Sequence, residues 1–466
     1  MSRDLAMMSA TDLVQAYAAG TVSPVEATQA SLDQIGKHNE AYNAFVHIDE
    51  DTTLASAKAS EARWKTGTPL GIVDGVPTTI KDLAEVQGWP VRRGSKTSDA
   101  DFRSGTDSPF VARLRDHGAV FMGKTATPEY GWKGVTDSPL TGITRNPWNP
   151  EKTPGGSSGG AAVATALGMG ALNQGTDGGG SIRIPAAYSG VFGLKPTFGR
   201  VPQFPASVMG TVSHAGPMTR TVADAALMLT VMSGLHVMDW YTAPNDGCDF
   251  RQLSGKSVRG MRIAYSPDLG FAKVDPEIAA LVAAAVNRLA ELGAHIEEVD
   301  LDYSSSAETF RLHWFTGAAN AYRKLSPEQR EMLDPGFAEV CLEGLEITLP
   351  DYQDGIQARE ALGLEVNQLL DRYDLLVTPA MPTAAFDAGR EVPAGSGMRR
   401  WTEWTAFTYP FNLTGQPAAS IPCGFDRDGL PVGLQIVGPV GADALVLRAS
   451  RGYERVCPIA LPPLDI

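Results

Sequence analysis

The chain predicts an α/β fold, and three observations carry that expectation. Apolar runs of strand length alternate with amphipathic stretches of helical length along most of the 466 residues. Val76–Ile80 is apolar-rich and LLVTPAMP (375–382) reads as a buried strand running into a proline-rich loop, as in strands covered by helices on both faces. No low-complexity linker, charge block or internal repeat interrupts the pattern, which favours one compact unit over residues 1–466. Within it, residues 1–65 read as a mainly helical part, 71–230 as a central part and 231–466 as the remainder of the sheet.

Taken in order, Ser9–Ala19 reads as a short helix stopped by Gly20. Ser23, Pro24 and Glu26 open the next helix as N-cap, first helical residue and capping-box partner. NAFVHI (43–48) reads as a strand and ASAKASEARWK (55–65) as a helix. Gly71, Gly75 and Pro77 punctuate PLGIVDGVPTTIKDL, whose strand ends on Lys81. SPFVARLRDHG (108–118) is an amphipathic helix ended by glycine, and AVFMG (119–123) a strand. VFGLKPT (191–197) and RVPQF (200–204) read as short strand or loop pieces. TRTVADAALMLTVMSG (219–234) is a helix with Thr221 as N-cap, and His214 before it is read as a loop residue. MRIAYS (261–266), PEIAALVAAAVNRLAELG (276–293) and AHIEEVDL (294–301) repeat the strand–helix–strand idea. Residues 301–365 are mostly helical, and LPVGLQIVGP (430–439) is a late strand.

Composition narrows the function. A net charge of −14 argues against a nucleic-acid or anionic-membrane binder, which needs basic clustering. Cys248, Cys341, Cys423 and Cys457 are scattered without C-x-x-C spacing, which fits free thiols in a reducing compartment. No apolar run reaches membrane-spanning length and no signal-peptide pattern opens the chain, so a cytoplasmic protein is expected.

The chemistry concentrates in Gly155–Lys195, GGSSGGAAVATALGMGALNQGTDGGGSIRIPAAYSGVFGLK, where two glycine-flanked serines stand twenty-four residues apart. Glycine at this density is entropically costly and suits backbone that must turn sharply or expose its N–H groups. Gly178, Gly179 and Gly180 precede Ser181, so a nucleophile with its own oxyanion hole is the working expectation. Other readings compete. Gly155–Gly159 satisfies G-x-S-x-G, but NPWNPEKTP before it is turn chemistry, not the strand that an α/β-hydrolase elbow requires. Neither a nucleotide fingerprint nor a histidine–carboxylate metal spacing is present. Ser157 or Ser158 and Ser181 also read as helix N-caps, and Lys81 as a surface lysine paired with Asp82.

GVPTTIKD, TPGGSSGGAA and GTDGGGSIRIPAAYSGVFGLKPT together closely resemble the amidase signature family, and GPMTRTVADAA and FNLTGQPAASIPCGF…GLPVGLQIVGP look like its continuation. The likeness runs in order from about Gly71 to about Pro439. It implies a single domain with a twisted mixed sheet covered by helices on both faces. It also implies Ser181 as nucleophile, Ser157 as a bridging serine held by a cis peptide, and Lys81 as base. The N–H groups of Gly178, Gly179, Gly180 and Ser181 would form the oxyanion hole, with Ser158, Asp177 and Arg183 in support. Ala126 stands where many members carry asparagine.

Substrate contacts are expected from Tyr130, Trp132, Thr136, Val208 and Met209, and from the helical region with Trp314, Phe315 and Cys341. Together they hint at a fairly apolar pocket for an aryl or acyl amide. No metal or other cofactor is expected, the partner is a small-molecule amide, and the N-terminal helices offer a homodimer contact. A glutamine-hydrolysing component of a tRNA-dependent amidotransferase and a non-catalytic scaffold are the competing readings.

Overall fold

The computed structural model describes residues 2–244, 246–252 and 257–463, so parts of the expected 231–466 segment lie outside the described residues. In the first half of the chain the strands are β1 (Phe45–His47), β2 (Pro77–Lys81), β3 (Val120–Thr125), β4 (Asp137–Ser138), β5 (Gly142–Ile143), β6 (Leu172–Asp177), β7 (Phe192–Lys195) and β8 (His214–Thr219). The second half adds β9 (Arg262–Tyr265), β10 (His295–Glu298), β11 (Leu375–Pro379), β12 (Ala418–Phe425) and β13 (Pro431–Val437). A small ribbon pairs β4 with β5, and the other strands form one sheet in the order β1-β3-β2-β6-β8-β7-β12-β13-β11-β9-β10.

The sheet is mixed in a regular way. β3, β2 and β6 run parallel, as do β11, β9 and β10, while the centre from β6 through β8, β7, β12 and β13 to β11 is antiparallel. Parallel neighbours need a crossover, and helices supply it: Pro109–Asp116 between β2 and β3, Gly159–Ala166 between β3 and β6, and Pro276–Glu291 between β9 and β10. Side chains alternate between two cores. Leu375 and Val377 of β11 enter one, with helix Val222–Met232 in the same core, while Leu376 enters the other with the aromatic residues of helix Ser305–Tyr322. This is the expected α/β architecture.

Helix starts follow the sequence closely. Ser23 and Glu26 form the reciprocal capping box, Thr221 accepts from the Asp224 N–H, and Gly20 closes the first of the expected helices in left-handed conformation. Besides the β4–β5 ribbon, three strands of the large sheet carry no marked signal in the sequence reading. β6 buries Asn173, Gln174 and Asp177, β12 is rich in small residues and interrupted by Pro422 and Gly424, and β8 begins on His214, so that histidine is a strand residue and not a loop residue. RVPQF forms no strand.

Candidate active site

β2 pairs in parallel with β6, with Thr78 opposite Leu172 and Thr79 opposite Asn173, so both strands deliver their C-terminal ends to one place. Lys81 closes β2, and Thr176 and Asp177 close β6 before the Gly178–Gly180 turn into Ser181. Opposite them runs the turn Gly155–Ser158, with a cis Gly156–Ser157 peptide. Glycine is required here: a Cβ on Gly156 would lie 2.4 Å from the Val135 carbonyl carbon.

Lys81 is fully buried, and its Nζ lies 2.7 Å from Ser157 Oγ, 2.8 Å from Ser158 Oγ and 2.9 Å from Thr176 Oγ1. Burial pushes its pKa well below the ordinary lysine value, against a weaker opposing pull from Asp177. The alternative of a surface ion pair fails, because Asp82 turns to Lys124 at 3.2 Å. Hydrogen counting then assigns roles. A neutral amine donates two hydrogens and accepts one. The Ser158 hydroxyl already donates to the Thr176 carbonyl at 3.1 Å, which leaves the Ser157 and Thr176 hydroxyls as the two that can donate into the lysine lone pair.

The helix-cap reading of these serines also fails. Ser158 stands at the N-cap of helix Gly159–Ala166 and Ile182 at that of Arg183–Ser189, and neither makes a side-chain cap bond. Ser181 is 4% exposed, its carbonyl accepts the Ser158 N–H at 3.1 Å, and its hydroxyl has no hydrogen bond among the described residues.

Asp177 and Arg183 form a different kind of centre. Both are fully buried, and Arg183 makes a two-pronged pair through Nε and Nη2 at 2.9 Å each. Thr408, Gln435 and Asn412 accept the remaining guanidinium bonds. Burial raises the Asp177 pKa, but Arg183, Lys195 and Asn412 outweigh it and hold the carboxyl well below its usual range. Asp177 also accepts the N–H of Gly180 at 2.7 Å. That corrects one expectation: Gly180 spends its donor on the turn, while the N–H groups of Gly178, Gly179 and Ser181 have no partner among the described residues. Neighbouring aromatics explain the glycines, since a Cβ on Gly179 would meet Phe310 at 2.6 Å and one on Gly178 would meet Trp314 at 2.8 Å.

Beside Lys81 lies a cavity of about 280 Å³ whose wall includes Thr176, Leu83, Phe110, Tyr130, Phe204 and Val208. Of the residues expected to touch substrate, it brings together Tyr130 and Val208. The others lie elsewhere. Trp132 packs on Phe337 in the core, and Met209 is buried against Gly317. Thr136 accepts from the Gly159 N–H and donates to the Gly155 carbonyl, bracing the serine turn. Cys341 donates to the Ala318 carbonyl, and burial pushes its thiol up to about 12. Trp314 and Phe315 are buried, the former as the wall behind Gly178. Sequence reasoning passed over Thr176, Thr408 and Asn412; the last lies within FNLTGQP and ties Asp177 from 235 residues away. Among the described residues no group of three or more histidine, cysteine or acidic side chains is placed to hold a metal ion, and no helix is long and apolar enough to cross a membrane.

A buried lysine beside paired serines, at the ends of neighbouring strands of an α/β sheet, places the chain among the serine-type amidohydrolases. The Amidase family model matches residues 26–447. An acylamidase of Rhodococcus erythropolis is 38% identical over 464 residues, covering 98% of this chain and 97% of that protein. One component of the glutamyl-tRNA(Gln) amidotransferase of Chloroflexus aurantiacus is 33% identical over 97% of each. The crystal structure of a bacterial aryl acylamidase superposes with a TM-score of 0.90 at 32% identity, covering 97% of this chain and 96% of that one. The chain belongs to the amidase signature family and is an amidohydrolase.

Proposed function

We propose that the protein is a self-sufficient acylamidase that cleaves aryl or acyl amides through an acyl-enzyme on Ser181. A serine hydroxyl needs a base to take its proton, and a lysine near its reference pKa of about 10.4 is protonated at pH 7 and cannot serve. The hydroxyl bed around Lys81 supports a neutral amine in that role.

In the first step Ser181 Oγ attacks the amide carbonyl while its proton passes to Ser157 and the Ser157 proton to Lys81 Nζ. Among the described residues Ser157 and Ser181 share no hydrogen bond, so this leg of the relay requires a side-chain rotation of one serine that brings the two oxygens together as substrate docks. The N–H groups of Gly178, Gly179 and Ser181 receive the oxyanion; in other hydrolases one such donor is worth about 3–4 kcal/mol. Return of the proton along the same path lets the amine leave neutral, which an amide requires. Water then repeats the cycle on the ester, releasing the carboxylic acid and free Ser181.

The observation that carries this reading is the triple hydroxyl contact of a buried lysine, with no carboxylate of the described residues in contact. Phe110, Tyr130 and Phe204 on the cavity wall support an aryl or acyl group in the substrate. The amidotransferase relative supports a second reading, glutamine hydrolysis within a complex. The purified chain should turn over simple anilides unaided and show an acyl adduct on Ser181 by peptide mass spectrometry. Hydrolysis of glutamine alone, and only with added partner proteins, would select the second reading.

A further inference from the structure

Arg93 stands on the wall of the cavity beside Lys81. Among the described residues that line this cavity it is the only charged one. Its guanidinium makes no hydrogen bond among the described residues, and its single ion pair, to Glu85, is long at 3.8 Å. Glu85 is itself engaged with the Ser104 hydroxyl at 3.2 Å and does not line the cavity. An arginine offers five N–H donors in a planar fork, so most of its binding capacity is left over here.

The backbone holds this fork in place. Arg93 has φ +53°, a left-handed conformation that costs any residue with a Cβ. Tyr130, on the same cavity wall, has φ +52°, and its N–H donates to the Arg93 carbonyl at 2.8 Å. Around them the loop is pinned: Ser95 donates to Glu129 at 2.6 Å, and Thr97 and Tyr130 share a hydroxyl bond of 2.5 Å. Strained non-glycine residues gather at ligand clamps because neighbouring contacts hold them there. Gln203, Ser207 and Ser213 add polar groups to the cavity without adding charge.

We infer that Arg93 is a specificity residue that receives an anionic group, a carboxylate in the first instance, on the amide substrate. This rests on the proposed amidase reading for its site and names the substrate class within it: amides that carry a negative charge within one cavity length of the scissile bond. Arginine and carboxylate meet in parallel N–H···O bonds, and a partner already fixed in place loses little freedom on binding.

The test is a binding measurement that does not depend on turnover. Ser181→Ala protein is titrated by calorimetry with two isosteric pairs. One is 4-acetamidobenzoate against 4-acetamidobenzamide, with the charge on the amine side. The other is N-phenylsuccinamate against its terminal carboxamide, with the charge on the acyl side. In at least one pair the carboxylate should bind about tenfold to a hundredfold more tightly. Arg93→Asn, which suits a left-handed backbone, should erase that preference, and Arg93→Lys should keep part of it. Equal binding within both pairs, or a preference that survives Arg93→Asn, overturns the inference. Turnover of the neutral amides by the unmodified protein is scored separately: its absence counts against the amidase reading, while the binding ratios still decide the role of Arg93.

Discussion

Two buried basic side chains, Arg183 and Lys81, are treated in opposite ways. Arg183 is surrounded by acceptors, a carboxylate among them, and is fully paired. Lys81 is equally buried, but among the described residues its amine meets only hydroxyl oxygens at bonding distance. Burial without a paired counter-charge disfavours a charged amine and pushes the lysine pKa down, while the guanidinium lies against a carboxylate. The fold therefore pairs charge in the turn that carries Ser181 and leaves the lysine among hydroxyls, as the proposed proton relay requires. Asp177 marks the boundary, binding Arg183 through its carboxylate and the Gly180 N–H through the same group.

The largest effect expected from this contrast is chemical. Ser181→Ala and Lys81→Ala should each lower kcat for a simple anilide by about 10⁴- to 10⁶-fold, with circular dichroism unchanged. Next comes the paired region. Asp177→Asn leaves Arg183 without its counter-charge and should destabilise the protein by about 3–5 kcal/mol in denaturant melts. Because the folded pKa of Asp177 is depressed, its stabilisation is present above the free carboxyl value near 4 and is lost as pH falls through the folded value.

Gly179→Ala sharpens the comparison from the turn itself. Its methyl group would press on Phe310 and Trp401, so kcat should fall about 10²- to 10³-fold, with a smaller change in KM, as for loss of one oxyanion donor. The smallest effect concerns stability at Lys81. Its folded pKa lies below the unfolded one, so the unfolded chain binds more protons between the two values, and stability rises with pH across that window. The Tm of the unmodified protein should therefore gain on that of Lys81→Met between pH 7 and pH 10; parallel curves would break the contrast.

Much of this was legible in the sequence, and for physical reasons. The strand ending on Lys81 reads clearly because Val76–Ile80 is apolar-rich and Gly71 and Gly75 punctuate the chain before it. The glycine turns read clearly because few other residues fit them. β6 was hidden because the strand that delivers Asp177 buries Asn173 and Gln174, polar residues satisfied only by tertiary partners such as Thr79. The same blindness covers Asn412, whose meaning lies in a contact 235 residues away. Trp132, Met209 and Cys341 were expected at the substrate because apolar residues near a nucleophile suit a pocket and a core equally well. Burial separates the two: Trp132 and Cys341 are wholly enclosed, Met209 is packed against Gly317, and Tyr130 and Val208 reach open space.

The central claim is the neutral amine, and the pH dependence of Ser181 acylation in a single turnover, followed by intact-protein mass, tests it most directly. The account predicts a rate that reaches its plateau well below the free lysine pKa of about 10.4. A rate still climbing through pH 10, or one that peaks below about pH 6, would contradict it.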